Sequence, residues 1–298
     1  MKPDYQGDNW AVYLADCIEV MNGMPEGIID LAIFSPPFSD LFVYSDSERD
    51  MGNCGSHAEF MEHYAYFTDA LMRVLKPGRL ACVHCSDLPA RKSKDGFIGL
   101  HDFGGDLIRA HQQSGWVYHA RCTIWKDPVI EMQRTKALGL LYKQLKKDST
   151  RSRVGMPDYM LFFRKNEENP DPVTHCPEDL PVGMWQEMAS PVWMQVNQTK
   201  VLNGRMAKGQ DDERHICPLQ LDVIERCLTL YSNPGDLVLD PFNGIGSTGY
   251  QAVKMGRKYI GIELKPEYAK QAAKFLQAAE QQSGSLLELI TAADEEAA

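Results

Sequence analysis

The sequence predicts an α/β protein built on a mostly parallel sheet, and three observations carry that expectation. Strand-like and helix-like patterns alternate along most of the 298 residues, the pattern of βαβ units. Near the far end, Leu237-Val238-Leu239-Asp240 is an apolar strand that runs into Pro241-Phe242-Asn243-Gly244-Ile245-Gly246-Ser247-Thr248-Gly249, a glycine turn opening a helix. Such a turn brings backbone close to a ligand at a helix N-terminus. Much earlier, Asp30-Leu31-Ala32-Ile33-Phe34 is a second apolar strand, stopped by Ser35-Pro36-Pro37-Phe38. The double proline cannot continue a central ladder and leaves a rigid, kinked end.

Taken in order, Ala11–Leu14 reads as a short strand, followed by an acidic turn at Asp16 and a brief helix to Met24. Pro25 and Gly27 break the chain before the strand that leads to Ser35. From His57 to Leu75 the apolar residues Phe60, Tyr64, Phe67, Leu71 and Leu75 recur at steps of three and four, and Lys76-Pro77-Gly78 ends that helix. Arg79–His84 is then a buried strand, a helix follows over Asp102–Gln113, and Trp116–Trp125 is another strand. Leu138, Leu141, Tyr142 and Leu145 fall at i, i+3, i+4 and i+7, which predicts a short amphipathic helix with its basic residues on the opposite face. Asp158–Arg164 returns as a strand. Residues 166 to 209 shift to Pro, Glu, Asp, Met and Trp with weak periodicity, so an irregular insertion is expected. Order resumes with a helix through Leu219, Val223, Cys227 and Tyr231, the glycine strand, a helix over Thr248–Met255, the strand Tyr259–Glu263 and a last helix from Pro266 to about Gln281. The remaining Ala/Asp/Glu tail has little to pack and is expected to fray.

Composition narrows the class. No window approaches the roughly 18 uninterrupted apolar residues a membrane span needs, and Met1-Lys2-Pro3-Asp4 does not begin a signal peptide. Eight cysteines without regular spacing read as buried thiols, so a soluble, cytoplasmic protein is expected. A net charge of -10 argues against coating nucleic acid by bulk attraction, and any such surface must be local. One stretch qualifies. Between Glu131 and Arg153, seven bases (Arg134, Lys136, Lys143, Lys146, Lys147, Arg151, Arg153) face two acids (Glu131, Asp148).

Gly244-Ile245-Gly246-Ser247-Thr248-Gly249 satisfies the G-x-G-x-x-G pattern, and Glu263 stands near the spacing of an acid that binds a ribose hydroxyl. A dinucleotide site is nevertheless disfavoured. Pro241, Phe242 and Asn243 separate the strand from the first glycine, and only 35 residues follow Glu263, too few to finish a dehydrogenase sheet. Earlier sequence must complete it.

The pair of motifs, Ser35-Pro36-Pro37-Phe38 and Asp240-Pro241-Phe242-Asn243-Gly244-Ile245-Gly246, resembles those of the amino-directed DNA methyltransferases. Their order is similar to the circularly permuted beta group of that family. The resemblance implies a Rossmann-like fold with a seven-stranded, mostly parallel sheet, S-adenosylmethionine as cofactor and double-stranded DNA as partner. It gives Phe242, Gly244 and Gly246 the amino-acid end of the cofactor, with Asp240, Asn243 and Thr248 in the same site, and gives Glu263 the ribose. Asp16 resembles the acid that accepts from the adenine amino group, although Ala15 stands where the family has Gly. His215 resembles a residue that closes over the methionine moiety. Ser35 Oγ and the Pro36 carbonyl are, by the same resemblance, the acceptors for the target amine. Pro37 stiffens the turn, and Phe38 offers a flat face to a flipped base. In the family, Ser at the first motif position goes mostly with cytosine N4 and Asp or Asn mostly with adenine N6, so cytosine is the expected base. Trp125 and Lys126 stand where family members often touch it.

The basic stretch is the expected phosphate surface, through Arg134, Lys143, Lys146, Lys147, Arg151 and Arg153. Residues 166 to 212, with Trp185, Trp193, Gln195, Asn197, Gln198, Lys200, Asn203 and Arg205, occupy the interval of the family's target-recognition region. The expected organisation is therefore a catalytic half at 1–165 with a basic helix over about 131–155, an insertion at 166–212, a cofactor-binding half at 213–284 and a frayed acidic tail at 285–298. A metal site is not expected. Cys82-Val83-His84-Cys85 lies in a strand whose side chains alternate between faces, and no second pair completes it. Adenine N6 is the alternative target, with an RNA or protein methyltransferase or a catalytically silent DNA-binding module more distant; the recognition sequence, the oligomeric state and a partner nuclease are left open.

Overall fold

The computed structural model describes residues 1–39, 50–90, 92–202 and 218–296. In chain order the elements are β1 (Tyr5–Gln6), β2 (Trp10–Leu14), α1 (Cys17–Gly23), β3 (Ile29–Phe34), α2 (His57–Val74), β4 (Leu75–Ser86) and β5 (Leu88–Ala90). There follow α3 (Lys92–Asp95), β6 (Gly99–His101), α4 (Phe103–Gln113), β7 (Val117–Ile124), α5 (Pro128–Thr135), α6 (Tyr142–Lys147) and β8 (Asp158–Arg164). The remainder comprises α7 (Val182–Met188), β9 (Val192–Trp193), α8 (Leu221–Tyr231), β10 (Leu237–Asp240), α9 (Ser247–Lys254), β11 (Lys258–Glu263) and α10 (Pro266–Glu296).

One sheet dominates, in the order β1-β2-β11-β10-β3-β4-β8-β7-β9. The expected seven strands are its body, β2 through β7, and the two-residue strands β1 and β9 extend it at either edge. β2, β11, β10, β3 and β4 run parallel, while β8 is antiparallel to both β4 and β7. β3 is buried at all six positions because helices cover both faces of the parallel strands. Two apolar cores result, one on each face, around Val12, Leu31, Val238 and Tyr259 and around Phe34, Phe60, Phe67 and Leu239.

The permuted chain order has a direct structural expression. β10, near the C-terminal end, lies between β11 and β3, with Val238 beside Leu31 and Leu239 beside Ala32. At the amino ends of these strands, Asp30 is buried against Arg79 Nη2 at 3.1 Å and Lys76 Nζ at 2.7 Å, and Arg79 Nη1 meets Asp236 at 3.0 Å. Leu237 N also donates to Asp30 at 2.9 Å. Opposite charges at ion-pair distance are what permit this burial, although Arg79 Nε has no hydrogen-bond partner among the described residues.

Several elements differ from expectation. Lys76-Pro77-Gly78 does not separate helix from strand, because β4 starts at Leu75. The apolar residues at 138 to 145 do not form one helix: a 3-10 turn over Leu138–Leu140 precedes the six-residue α6, and Leu138, Tyr142 and Leu145 are exposed. A break at Leu141 puts the two segments out of phase. The insertion contributes β9 to the sheet and Trp193 to the core. α10 continues to Glu296, through the tail that was expected to fray. Among the described residues no helix is long and apolar enough to cross a membrane.

Candidate active site

Both motifs open at the carboxyl ends of adjacent parallel strands, the place where an α/β sheet offers a crevice. Beyond Asp240 the chain turns through Gly244 and Gly246, which have φ of +51° and +85°. Asn243 locks the turn to the next strand: its N donates to Ile262 O, its Nδ2 to Gly244 O, and its Oδ1 accepts from Tyr259 Oη at 2.7 Å. Gly244 N donates to Glu263 Oε2 at 2.7 Å, and Lys265 N to Glu263 Oε1 at 2.9 Å. Phe242 packs on Phe67 with ring centroids 4.9 Å apart. Thr248 is buried and reaches back to Ile33 O at 3.4 Å, tying the start of α9 to β3.

The two glycines differ in role. A Cβ on Gly244 would meet nothing within 4 Å, whereas one on Gly246 would lie 2.9 Å from Ala272 Cβ. Gly244 lines the cavity and Gly246 does not. At Gly246 the left-handed backbone and the close approach of α10 leave no room for a side chain.

Burial pushes the Asp240 carboxyl up to about 7, against the hydrogen bonds from Thr248 and Phe242 N. Burial likewise pushes Glu263 up to about 7, against the main-chain donors at Lys265 and Gly244. Asp16 caps α1, accepting from Glu19 N at 2.9 Å, and borders the same cavity.

Across the cavity stands Ser35. Its Oγ lies 3.2 Å from His84 Nδ1 and 3.3 Å from His84 O. His84 Nε2 is 3.1 Å from Asp158 Oδ2, an ion-pair distance without the alignment of a hydrogen bond, and Lys126 Nζ holds Asp158 Oδ1. Burial would raise the Asp158 carboxyl, but His84 and Lys126 outweigh it and hold the group at about 2. Pro36 and Pro37 are buried, and Phe38 leans on Phe103 with centroids 6.0 Å apart. Asp16, Ser35, Pro36, Pro37, Phe38, Asp240, Phe242, Asn243, Gly244, Thr248 and Glu263 all border one cavity of about 1190 Å³. His84 and Asp158 were not expected there. The β3–β4 register, with Phe34 beside Val83, is what brings His84 to Ser35.

His215 lies outside the described residues, as do Asn203 and Arg205. Arg134 falls on α5, with its side chain likewise outside them. Lys143, Lys146, Lys147 and Arg151 are exposed, on and just beyond α6. Arg153, expected at the phosphate surface, pairs with buried Glu131 at 2.9 Å and braces the loop before β8. In the insertion, Trp193 is buried and Lys200 pairs with Asp222 at 2.7 Å, so neither stands free for a base. Trp125 is 41 % exposed and lies off the cavity, whereas Lys126 borders it.

Comparison with known proteins agrees with this geometry. The type II methyltransferase M.BamHI of Bacillus amyloliquefaciens is 24% identical over 284 residues, covering 89% of this chain and 56% of its own length, so the chain spans about half of that relative. The type II methyltransferase M.PvuII of Proteus hauseri is 24% identical over 305 residues, covering 92% of this chain and 86% of its own. The solved PvuII DNA methyltransferase, described as cytosine-N4-specific, shares the fold with a TM-score of 0.66 at 21% identity, over 92% of this chain and 88% of that one. TTHA0409 from Thermus thermophilus, solved in complex with S-adenosyl-L-methionine, does so with a TM-score of 0.65 at 21% identity, over 89% of this chain and 93% of that one. The DNA methylase model N6_N4_Mtase matches residues 29–274, from the first residue of β3, the strand that leads into Ser35, to the helix packed on the glycine turn. The chain belongs to that DNA methylase family.

Proposed function

We propose that this protein is a sequence-specific DNA methyltransferase that moves the methyl group of S-adenosylmethionine to the exocyclic amine of a flipped base, with cytosine N4 the preferred target. The observation that carries the reading is that the glycine turn and Ser35-Pro36-Pro37-Phe38, far apart in sequence, border one cavity of about 1190 Å³.

The residues present fit the cofactor. Open space above Gly244 admits a ligand where a Cβ would stand. Glu263 keeps lone pairs for ribose hydroxyls beyond the two main-chain bonds it accepts, and Asp16 can take the adenine amino group. Phe242 gives the turn an apolar wall. When bound, S-adenosylmethionine supplies an electrophilic sulfonium methyl.

On the other side, the target amine needs its two hydrogens held, because its lone pair is delocalised into the ring. Ser35 Oγ and the Pro36 carbonyl hold them, favouring a pyramidal nitrogen aimed at the methyl. Fixed before reaction by Pro37, these acceptors need no reorganisation. Phe38 stacks on the extruded base. Lys143, Lys146, Lys147 and Arg151 supply phosphate contacts, and the insertion at 166–212 contributes to target recognition, the two halves on either side forming the methyltransferase proper. The setting is the cytoplasm.

Ser35 and the cytosine-N4-specific PvuII enzyme among the structural relatives support cytosine. The test is to incubate the protein with unmethylated genomic DNA and S-adenosylmethionine and weigh the released nucleosides. N4-methylcytosine is expected. N6-methyladenine would overturn the base assignment alone, and no methylated nucleoside despite bound cofactor would overturn the reading.

A further inference from the structure

We infer that Ser35, His84 and Asp158 form a relay that takes up the proton released by the target amine, with His84 the positioning residue behind Ser35. The inference rests on the methyltransferase reading and adds a route for the proton.

Methyl transfer has a charge to dispose of. As the N–C bond forms and the C–S bond breaks, the sulfonium becomes a neutral thioether and the amine nitrogen takes the positive charge. One proton must then leave it. Ser35 Oγ accepts that proton while its own hydroxyl proton passes to His84 Nδ1, 3.2 Å away. The products are a neutral methylamine, an intact Ser35 hydroxyl and an imidazolium, which gives its proton to solvent on turnover.

Three features make His84 suited to this. Its Nε2 lies 3.1 Å from the Asp158 carboxylate, an ion-pair contact rather than an aligned hydrogen bond, and a proton on Nε2 beside that anion leaves the Nδ1 lone pair toward Ser35. Asp158 is 3 % exposed and its carboxylate also holds Lys126, so the anion that receives the imidazolium is already in place. All four side chains border the cavity, and His84 is a buried polar residue in a strand whose neighbours Cys82, Val83 and Cys85 are fully buried. Ser35 Oγ has a second acceptor, His84 O at 3.3 Å, which orients the hydroxyl but cannot take up its proton. Asp158 on β8 and Lys126 beyond β7 face the ring, and Asp240 and Glu263 share the cavity.

The test is the single-turnover rate of methyl transfer to DNA against pH, for the wild type and His84→Asn, with cofactor affinity measured by calorimetry. An Asn amide can orient Ser35 but cannot accept its proton. A loss of about 10²-fold is expected, together with a flattened acid limb and a cofactor Kd near that of the wild type. A His84→Asn rate and pH profile matching wild type would overturn the relay. Should His84→Asn fail to bind cofactor, the wild type still decides. Nitrogen-15 shifts of the His84 ring, assigned by comparison with His84→Gln, should show Nδ1 bare and Nε2 protonated, and the reverse tautomer would overturn the proposal. A wild type that binds cofactor and methylates no nucleoside would remove the methyltransferase reading and the relay with it, whereas an active wild type with an indifferent His84 would remove the relay alone.

Discussion

The two ends of the central strands bury acids in opposite ways. At the amino ends, Asp30 is matched by Arg79 and Lys76, and Arg79 by Asp236, a closed set of charges. At the carboxyl ends, Asp240 and Glu263 are held by hydrogen bonds that do not offset their burial, and both are raised to about 7. One end is settled without a ligand. The other meets its acids with neutral hydrogen-bond donors. The strands between them are the same, so the difference lies in the partners each end supplies: cations at one and neutral donors at the other.

The largest way to break this contrast is Arg79→Met, which leaves Asp30 and Asp236 short of a buried partner. A loss of about 4 kcal/mol in urea unfolding is expected, and a loss under about 1 kcal/mol would mean the amino-end cluster is no more than a surface-type pair. Ser35→Ala probes the other end. It should leave the urea midpoint in place and cofactor affinity near wild type while lowering turnover by about 10²-fold. A matching fall in cofactor affinity would place Ser35 in the wrong half of the cavity.

The glycine turn sharpens the comparison further. Gly246→Val must hold φ near +85° and push against Ala272 at 2.9 Å, so its cost of about 2 kcal/mol should appear in the melting temperature. Gly244→Ala, with open space around its Cβ, should cost about 1 kcal/mol for its φ of +51° and act chiefly on cofactor affinity. Equal effects of the two on stability would erase the distinction between them.

The smallest effect is in the pH dependence of the protein without cofactor. Asp240 and Glu263 bind a proton up to about pH 7 when folded, but unfolded they release it near their ordinary values of 3.8 and 4.5. Between those limits the folded state holds more protons, so these groups make stability rise as pH falls from 7 toward 5. Asp158 works oppositely: the stability it contributes is present above 3.8 and lost as pH falls through about 2, outside this window. Urea unfolding at pH 8 and pH 5 should differ by on the order of 2 kcal/mol in favour of the lower pH, and Glu263→Gln should reduce that difference. An unchanged difference would assign it to other groups.

What could be read in the sequence followed the physics of each element. β3 and β10 were legible because strands covered on both faces are continuously apolar, and α2 because its apolar residues keep helical spacing over 18 residues. α6 was misread because four leucine and tyrosine positions fit a helix that breaks at Leu141. Gly244 and Gly246 match the motif equally as letters, and only the direction of each absent Cβ separates them. His84 and Asp158 gave no local signal, since strand register rather than spacing sets them behind Ser35. Arg153 looked like a free base in a basic run because its partner, Glu131, is 22 residues away.

The placement of β10 and β11 between β2 and β3 also bears on how the chain assembles. During synthesis β3 appears early, yet the strand that covers one of its edges is made only after residue 237. Until then β3 offers an unpaired apolar ladder on that side, and β2 has no neighbour through which to join the sheet. Pairing over such a separation is non-local and slow. The sheet is therefore expected to complete late and all at once, with the cofactor pocket the last part of the molecule to exist.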